Sequence, residues 1–308
     1  MKAGGQEVNM IGVLGSVNMD LVCEVSHLPR EGETLCGLRF ARYPGGKGAN
    51  QAVAAARLGA QASFYGKVGD DLFGNELLQS LKENGVNVEA VERERDTPSG
   101  IASIWVTEKG ENAIVYVPGA NASVAPPYVD RMLHKLAAAK VLLLQLEIPL
   151  ETIAHLLRGL PPKAPLVILD PAPAQDISSL PVERVDIITP NRGELSALTG
   201  EEDLKAAAHR LLALGAGQVI CKADVEGAYL IGNDNFRHFP AFEVDPVDTT
   251  ACGDAFNGAL AVALAEGKEI EEAVRFANAA GALAATRRGA QPSLPTRQEV
   301  EALLASLG

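Results

Sequence analysis

Apolar residues along this chain follow two alternating patterns. Short, nearly unbroken runs at 8–14 (VNMIGVL), 141–146 (VLLLQL) and 166–169 (LVIL) predict buried strands. Residues 72–81 carry apolar side chains at helical spacing, which predicts an amphipathic helix. Further strands are predicted at 62–68, 185–188 and 218–222, and further helices at 49–58, 129–138, 150–157, 194–198, 204–214 and 270–286. The alternation predicts an α/β fold with a mostly parallel central sheet and helices on both faces.

Two segments break this rhythm with β-rich, irregularly alternating residues. Residues 21–43 suit short antiparallel strands, and residues 101–117 form two β-rich runs around a polar turn, which predicts a hairpin. Together they predict a small accessory sheet built from approximately 21–43 and 97–119. This sheet could cover a site as a lid, or serve a structural or dimer-forming role. Without an internal repeat or a low-complexity linker, residues 1–308 are expected to form a single α/β domain that carries the lid.

Composition narrows the class of protein. With 308 residues and 47% hydrophobic content, the chain can fill a sizeable core. The 27 Lys and Arg against 39 Asp and Glu give a net charge of −12, which argues against nucleic acid and anionic membranes as partners. The cysteines form no metal-binding motif, so they are expected to be free thiols: Cys23, Cys36, Cys221 and Cys252. No signal peptide or membrane-spanning run is seen, and a cytoplasmic protein is expected.

Polar residues follow several predicted strands. Asn18 and Asp20 come after the first strand, Glu147 and Asp170 after two later ones, and the segment 190–194 after another. Each has an ordinary turn or capping explanation. However, ligands of open parallel sheets lie beyond the carboxyl ends of the strands, so their shared edge favours a binding site. Asn18 and Asp20 are candidates to hydrogen-bond a polyol there.

A glycine-rich turn, YPGGKG at 43–48, precedes an alanine-rich helix. Gly45 and Gly46 let the backbone approach a ligand closely, and Lys47 and Asn50 lie where they could hold a small polar molecule. The segment is not a Walker A loop, because Gly48 replaces the Ser or Thr that would meet magnesium.

A turn of small residues within 244–260 (VDPVDTTACGDAFNGAL) leads into an apolar helix. Ala251, Cys252 and Gly253 leave the first backbone N–H groups open to an anion. Asp254 behind them is either a proton acceptor or only a helix N-cap. An anion site beside a base suggests phosphoryl transfer to a hydroxyl group. Near the C-terminus, the turn at 289–293 (GAQPS) could coordinate a cation through its carbonyl groups.

Seven segments, in this order and spacing, resemble the ribokinase family of carbohydrate kinases: 15–20 (GSVNMD), 44–59 (PGGKGANQAVAAARLG), 69–74 (GDDLFG), 145–147 (QLE), 189–194 (TPNRGE), 247–260 (VDTTACGDAFNGAL) and 286–293 (TRRGAQPS). The resemblance spans the chain from end to end. It implies a ribokinase-like, Rossmann-type fold with a β lid. It further implies ATP as phosphoryl donor and phosphorylation of D-ribose at O5 to give D-ribose 5-phosphate.

The resemblance also implies roles for individual residues. Asp254 would be the base, with an anion hole formed by the N–H groups of Ala251, Cys252 and Gly253. The sugar would contact Asn18, Asp20, Gly45, Gly46, Lys47, Asn50, Glu147 and Asp254. The nucleotide would contact Asn191, Lys222, Asp224, Gly227, Gly253 and Asn278. Magnesium would be held by Asn191 and Glu194 through water, and potassium by Asp248, Thr250, Ala284, Arg287, Gly289 and Ser293. Finally, the lid implies a homodimer.

One departure from the family pattern lies after the strand at 218–221. Ribokinases usually carry Thr-x-Gly there, whereas this chain has Lys222-Ala223-Asp224 before Gly227. A carboxylate in place of glycine adds negative charge near the nucleotide and puts its binding in doubt. Alternatives to ribose are deoxyribose, another sugar or a nucleoside. A catalytically silent sugar- or nucleotide-binding protein is a further alternative, against which the intact Asp254 argues.

Overall fold

The computed structural model describes residues 10–162 and 165–306. The strands are β1 (Met10–Leu14), β2 (Asn18–Val25), β3 (Arg39–Gly45), β4 (Gln61–Tyr65), β5 (Lys67–Gly69), β6 (Glu92–Glu94), β7 (Gly100–Thr107), β8 (Asn112–Val117), β9 (Val141–Gln145), β10 (Leu166–Asp170), β11 (Ile187–Ile188), β12 (Gln218–Lys222), β13 (Ala228–Ile231) and β14 (Phe236–Phe239). The helices are α1 (Lys47–Arg57), α2 (Leu72–Glu83), α3 (Pro126–Leu136), α4 (Leu150–Gly159), α5 (Arg192–Thr199), α6 (Leu204–Ala213), α7 (Cys252–Ala265), α8 (Ile270–Ala285) and α9 (Arg297–Ala305).

The main sheet has eight strands in the order β14-β13-β12-β11-β10-β9-β1-β4. The strands from β12 to β4 pair in parallel, and β13 and β14 add an antiparallel edge. This confirms the predicted mostly parallel sheet. The antiparallel edge was not predicted, because its two strands are only four residues each and β14 is largely exposed.

Both faces of the main sheet are covered by helices. Alternate residues of one strand point to opposite faces, so Leu143 packs in one apolar cluster while Leu142 and Leu144 pack in the other. The first cluster includes residues of α1, α7 and α8, and the second includes residues of α3, α4 and α6. The unbroken apolar runs in the sequence follow from this two-sided burial.

The small sheet consists of four strands in the order β3-β2-β7-β8. β2 pairs antiparallel with β3 and parallel with β7, and β7 and β8 form the predicted hairpin. Three residues separate the end of β1 from the start of β2 at Asn18, so the small sheet leaves the main sheet at the edge that carries the candidate ligand residues.

Three predicted strands differ in detail, and the one expected at 185–188 is shorter, since β11 is only Ile187–Ile188. The strand expected at 62–68 is divided at Gly66, where a Cβ atom would lie 2.8 Å from the carbonyl oxygen of Gly15. β4 joins the main sheet, and β5 pairs instead with β6. Of the strand expected at 8–14, residues 8 and 9 lie outside the described residues.

Helices α1 and α7 approach each other closely beneath the candidate site. A Cβ atom on Gly258 would lie 2.5 Å from the Cβ atom of Ala54, so only glycine fits at this crossing. The crossing brings the start of α1 next to the start of α7.

None of the helices within residues 10–162 and 165–306 has the length and apolar character to cross a membrane. All four cysteines are free.

Candidate active site

The candidate residues gather at the carboxyl edge of the main sheet. Strands β11, β10, β9 and β1 are neighbours. Asp170 is the last residue of β10. Asn191, Glu147 and Asn18 follow the ends of β11, β9 and β1. Because parallel neighbouring strands end at the same edge, the polar residues that follow them converge there, as the sequence predicted.

Asp254 lies in the first turn of α7 and is 6% exposed. Its Oδ2 accepts a hydrogen bond from Asn50 Nδ2 at 2.9 Å, and its Oδ1 accepts one from Gln51 Nε2 at 3.1 Å. The N-cap position of α7 belongs to Ala251, and no side chain in the described part of the protein caps this helix. The interpretation of Asp254 as only an N-cap is therefore wrong, since its carboxylate faces α1.

Ala251 adopts a left-handed conformation with φ 61°, a strained backbone for a residue with a Cβ atom. The N–H groups of Ala251 and Gly253 have no hydrogen-bond acceptor within the described residues, whereas the N–H of Cys252 donates to the Thr249 carbonyl at 3.3 Å. Two of the three proposed anion-hole donors are thus open, and the third makes a long bond.

Lys47 and Glu147 lie together among the residues proposed to contact the sugar. The backbone N–H of Lys47 donates to Glu147 Oε2 at 3.3 Å, and Ser16 Oγ donates to the same oxygen at 2.5 Å. Gly45 lies against Asp20, since a Cβ atom on Gly45 would lie 2.3 Å from Asp20 Oδ2. Glycine at this position is explained by the approach of this carboxylate.

Asn18 lies on the same side, in the first position of β2. Its Oδ1 accepts a hydrogen bond from Asn121 Nδ2 at 2.7 Å, which leaves the Asn18 amide nitrogen free to donate. Gly46 has φ 89°, and a Cβ atom there would lie 2.7 Å from the Asn18 backbone nitrogen. The glycine-rich turn therefore packs directly on the start of β2.

Acidic side chains in this cluster have raised pKa values. Burial raises the pKa of Asp20 to about 7, and the nearby charges of Glu147 and Asp254 contribute. Burial also raises the pKa of Asp254 to about 6, against the opposing effects of Lys47 and the two amide hydrogen bonds. Burial alone would lower the pKa of Lys47, but the surrounding carboxylates raise it above its ordinary value. Lys47 is therefore a fixed positive charge among acids.

A cavity of about 870 Å³ adjoins this cluster. Lys47 and Asp254 line it, and so do all the proposed nucleotide residues: Asn191, Lys222, Asp224, Gly227, Gly253 and Asn278. Lys222 Nζ forms a salt bridge with Asp170 Oδ1 at 2.8 Å. The Asn278 amide donates to the carbonyl groups of Phe239 and Pro240 at 3.1 and 3.3 Å. Asn18, Asp20, Asn50 and Glu147 lie beyond the cavity lining.

Asp224 is exposed and lines the mouth of this cavity. Its φ of 46° is in the left-handed region, where glycine is favoured. This backbone conformation explains why a glycine suits the position and shows that aspartate fits it at some cost. Gly227 has φ 99°, and a Cβ atom there would lie 2.1 Å from the Phe239 carbonyl oxygen.

Asn191 and Glu194 cap helix α5 reciprocally. Asn191 Oδ1 accepts from the Glu194 N–H at 2.7 Å, and Glu194 Oε2 accepts from the Asn191 N–H at 2.7 Å. Both side chains also line the cavity. Within the described residues, Glu194 Oε1 has no hydrogen-bond partner, so it is free to accept one from a water molecule on a metal.

The residues proposed for potassium are joined in part. Asp248 accepts hydrogen bonds from the N–H groups of Thr250 and Gly289, each at 2.9 Å. These contacts tie the turn before α7 to the 286–293 segment. Other members are engaged locally: the Ala284 carbonyl accepts from the Arg287 N–H at 3.2 Å, and Ser293 Oγ donates to the Ala290 carbonyl at 2.8 Å. The Arg287 guanidinium pairs with Glu299.

Four residues at the site were not identified from the sequence: Ser16, Gln51, Asn121 and Gln145. Ser16 contacts Glu147 and Asn121 contacts Asn18, two residues proposed to bind the sugar. Gln51 donates to Asp254 Oδ1 at 3.1 Å, and Gln145 donates to Gln51 at 2.7 Å. Gln51 and Gln145 lie inside two of the segments that carry the family resemblance, 44–59 and 145–147. The sequence signal that could have identified them was a polar side chain in an otherwise apolar strand or helix.

Comparison with known proteins places this site in a family. The model described as pfkB family carbohydrate kinase matches residues 8–297. Ribokinase from Bacillus subtilis (strain 168) is 44% identical over 294 residues, which cover 96% of this chain and 99% of that protein. Deoxyribokinase from Salmonella typhi is 36% identical over 295 residues, which cover 94% of this chain and 96% of that protein. The structure of Arabidopsis thaliana ribokinase complexed with ribose and ATP has a TM-score of 0.90 and 34% identity, covering 96% of this chain and 99% of that chain. The chain belongs to the pfkB family of carbohydrate kinases.

Proposed function

We propose that this protein transfers the γ-phosphoryl group of ATP to the 5-hydroxyl of D-ribose, giving D-ribose 5-phosphate and ADP. The observation that carries the proposal is the position of Asp254, a buried carboxylate that accepts a hydrogen bond from Asn50 of the polar cluster and lines the cavity of about 870 Å³. The likeness to the Bacillus subtilis protein named ribokinase supports ribose as the sugar.

In this proposal Asp254 accepts the proton of the 5-hydroxyl as the oxygen attacks the γ-phosphorus. The bond from that phosphorus to the β–γ bridging oxygen breaks, and ADP leaves with its electron pair. With a pKa of about 6, Asp254 is mostly ionised at neutral pH yet basic enough to hold the proton. The amides of Asn50 and Gln51 fix its orientation.

The remaining residues bind and orient the two substrates. Asn18, Asp20 and Glu147 bind sugar hydroxyl groups together with the Gly45–Gly46 turn and Lys47. The open N–H groups of Ala251 and Gly253 stabilise charge that develops on the phosphoryl oxygens. Lys222, Gly227 and Asn278 line the cavity on the nucleotide side. Asp224 is exposed at the mouth of the cavity, so solvent screens its charge and it has a small effect on ATP binding.

Kinases of this family use ATP with a divalent metal. Glu194 and Asn191 fit a magnesium site reached through water, because Glu194 Oε1 has no hydrogen-bond donor among residues 10–162 and 165–306 and both side chains line the cavity. Magnesium neutralises charge on the ATP phosphates when bound.

Potassium activation, a lid and a dimer complete the proposal. Asp248 links the turn before α7 to the 286–293 segment, so a potassium ion held by the backbone carbonyl groups of these segments would order the anion hole.

The small sheet is the lid: Tyr116 on β8 donates to the Glu147 carbonyl at 3.2 Å, beside the proposed sugar residues. Its exposed apolar side chains favour a homodimer formed through the lid. The free cysteines suit a reducing cytoplasm.

A substrate panel that follows ADP formation tests the function. We expect D-ribose to be phosphorylated with a higher kcat/KM than 2-deoxy-D-ribose, other pentoses or nucleosides, and phosphorus NMR to find the product ester at O5. Preference for 2-deoxy-D-ribose would favour the second candidate, to which the Salmonella typhi relative named deoxyribokinase points. If no sugar or nucleoside gives ADP, the catalytic proposal is wrong.

A further inference from the structure

Gln51 is a fully buried amide on α1 that bridges two buried carboxylates. Its Nε2 donates to Asp254 Oδ1 at 3.1 Å and to Asp170 Oδ2 at 3.0 Å. Asp170, at the end of β10, is 1% exposed, and Asp254 is 6% exposed. One side-chain nitrogen thus satisfies an oxygen on each of two largely buried acids at the wall of the cavity.

The orientation of Gln51 is fixed by a third amide. Gln145 Nε2, on β9, donates to Gln51 Oε1 at 2.7 Å. Because an amide nitrogen only donates and an amide oxygen only accepts, this contact turns the Gln51 oxygen toward β9 and its nitrogen toward the two carboxylates. Neither acid can rotate away without losing a buried hydrogen bond.

The second carboxylate extends this contact chain to the nucleotide cavity. Asp170 Oδ1 pairs with Lys222 Nζ at 2.8 Å, and Lys222 lines the cavity. Lys222 also lies beside the start of α7, since a Cβ atom on Gly253 would lie 3.4 Å from Nζ. A continuous series of polar contacts therefore runs from Lys222 through Asp170 and Gln51 to Asp254.

We propose that Gln51 is a positioning residue for Asp254, and that through Asp170 it couples the carboxylate to Lys222 on the nucleotide side. This inference rests on the proposed role of Asp254 as the base. Gln51 touches no substrate; it holds Oδ1 of the carboxylate so that the carboxylate keeps one orientation toward the sugar. Asp170 lies between Gln51 and Lys222 and contacts both. A phosphate that draws Lys222 away from Asp170 therefore changes the electrostatic potential at Asp254.

Other ionisable groups also act on Asp254 and must be considered in any pH experiment. They lie on the elements packed around it and are Lys47 on α1, Asp20 on β2, Asp170 on β10 and Cys252 on α7. Within this set, the Gln51 hydrogen bond lowers the pKa of Asp254 and the charge of Asp170 raises it. Removing the Gln51 hydrogen bond should therefore raise the pKa of Asp254, and removing the Asp170 charge should lower it.

The test compares Gln51→Met with Asp170→Asn by measuring kcat over roughly pH 5 to 9 with ATP and D-ribose. In Gln51→Met, the acidic limb of the profile is expected to move to higher pH. Its kcat at pH 8 is expected to fall about 10-fold or more, with a smaller change in KM for ribose. In Asp170→Asn, the acidic limb is expected to move to lower pH. A purely structural role for Gln51 would not produce shifts of opposite sign.

Asn257→Ala is the matched control, because Asn257 is a buried amide on α7 whose side-chain atoms have no hydrogen-bond partner within the described residues. Its acidic limb should stay with that of the wild type. If Gln51→Met does not fold by circular dichroism, Gln145→Met removes the contact that orients Gln51 and should shift the limb upward less strongly. Unmoved limbs, or shifts in the same direction, would overturn the inference. A wild-type protein without sugar kinase activity would instead refute the proposed function.

Discussion

Asn50 on α1 donates its side-chain amide to Asp254 on α7 at 2.9 Å, joining residues 204 positions apart. One carries part of the proposed sugar site and the other is the proposed base. Their separation depends on how closely the two helices cross, which Gly258 permits. The packing of α1 against α7 therefore sets the position of Asp254 relative to Asn50.

The helix crossing gives a first prediction. Gly258→Ala places a methyl group 2.5 Å from Ala54 Cβ, so α1 and α7 must move apart. We expect the free energy of unfolding to fall by about 1 to 3 kcal/mol and kcat to fall as well. Gly159→Ala in α4 is the control, because its methyl group would meet Leu133 at an ordinary 3.4 Å. Urea unfolding of both variants measures the difference, and equal stability would contradict the packing argument.

A second prediction concerns the stability cost of Asp20. Its folded-state pKa of about 7 exceeds the ordinary 3.8, so the native state binds a proton more tightly than the unfolded chain. The contribution of Asp20 to the free energy of unfolding therefore falls as the pH rises from about 4 to 7. Asp20→Asn, which stays neutral, should be more stable than the wild type by about 1 to 3 kcal/mol at pH 8. That gain should vanish toward pH 4, while ribose binding weakens. A gain independent of pH would refute the assigned cause.

Potassium activation is tested by exchanging monovalent cations. Activity in potassium should exceed activity in sodium by about fivefold or more. Asp248→Ala removes the bonds to the N–H groups of Thr250 and Gly289, so both kcat and the difference between the two ions should fall. Asp245→Ala, an exposed acid three residues earlier, should keep the wild-type ratio. A wild type indifferent to the cation would remove the potassium site from the account.

The lid dimer gives a further prediction. Several large apolar side chains of β3 and β8 are exposed, with Phe40 at 61% and Val115 at 51% on one face of the lid and Ile114 at 57% on the other. Sedimentation velocity should find twice the 32.3 kDa chain mass for the wild type and a monomer for Phe40→Asp. Leu214→Asp, at an exposed apolar position after α6, should remain dimeric. A monomeric wild type would contradict the proposed interface.

How far the sequence could predict this molecule depended on the range of each interaction. Local signals sufficed for the buried strands, the lid hairpin and the small-residue turn before Asp254. The bridge from Gln51 to Asp170 and Asp254 could not be predicted, because it joins residues 119 and 203 positions apart through the helix crossing. Likewise, the left-handed backbone of Asp224 and the contact of Asn121 with Asn18 depend on tertiary structure.

The most direct test of the central claim is the turnover of Asp254→Asn with ATP and D-ribose, set beside ribose binding by calorimetry. Asparagine keeps the size of the side chain but cannot accept the hydroxyl proton. We expect a kcat lower by about 100-fold or more, with ribose affinity largely kept and with Asp234→Asn, at an exposed acid, equal to the wild type. Wild-type turnover in Asp254→Asn would show that Asp254 is not the base.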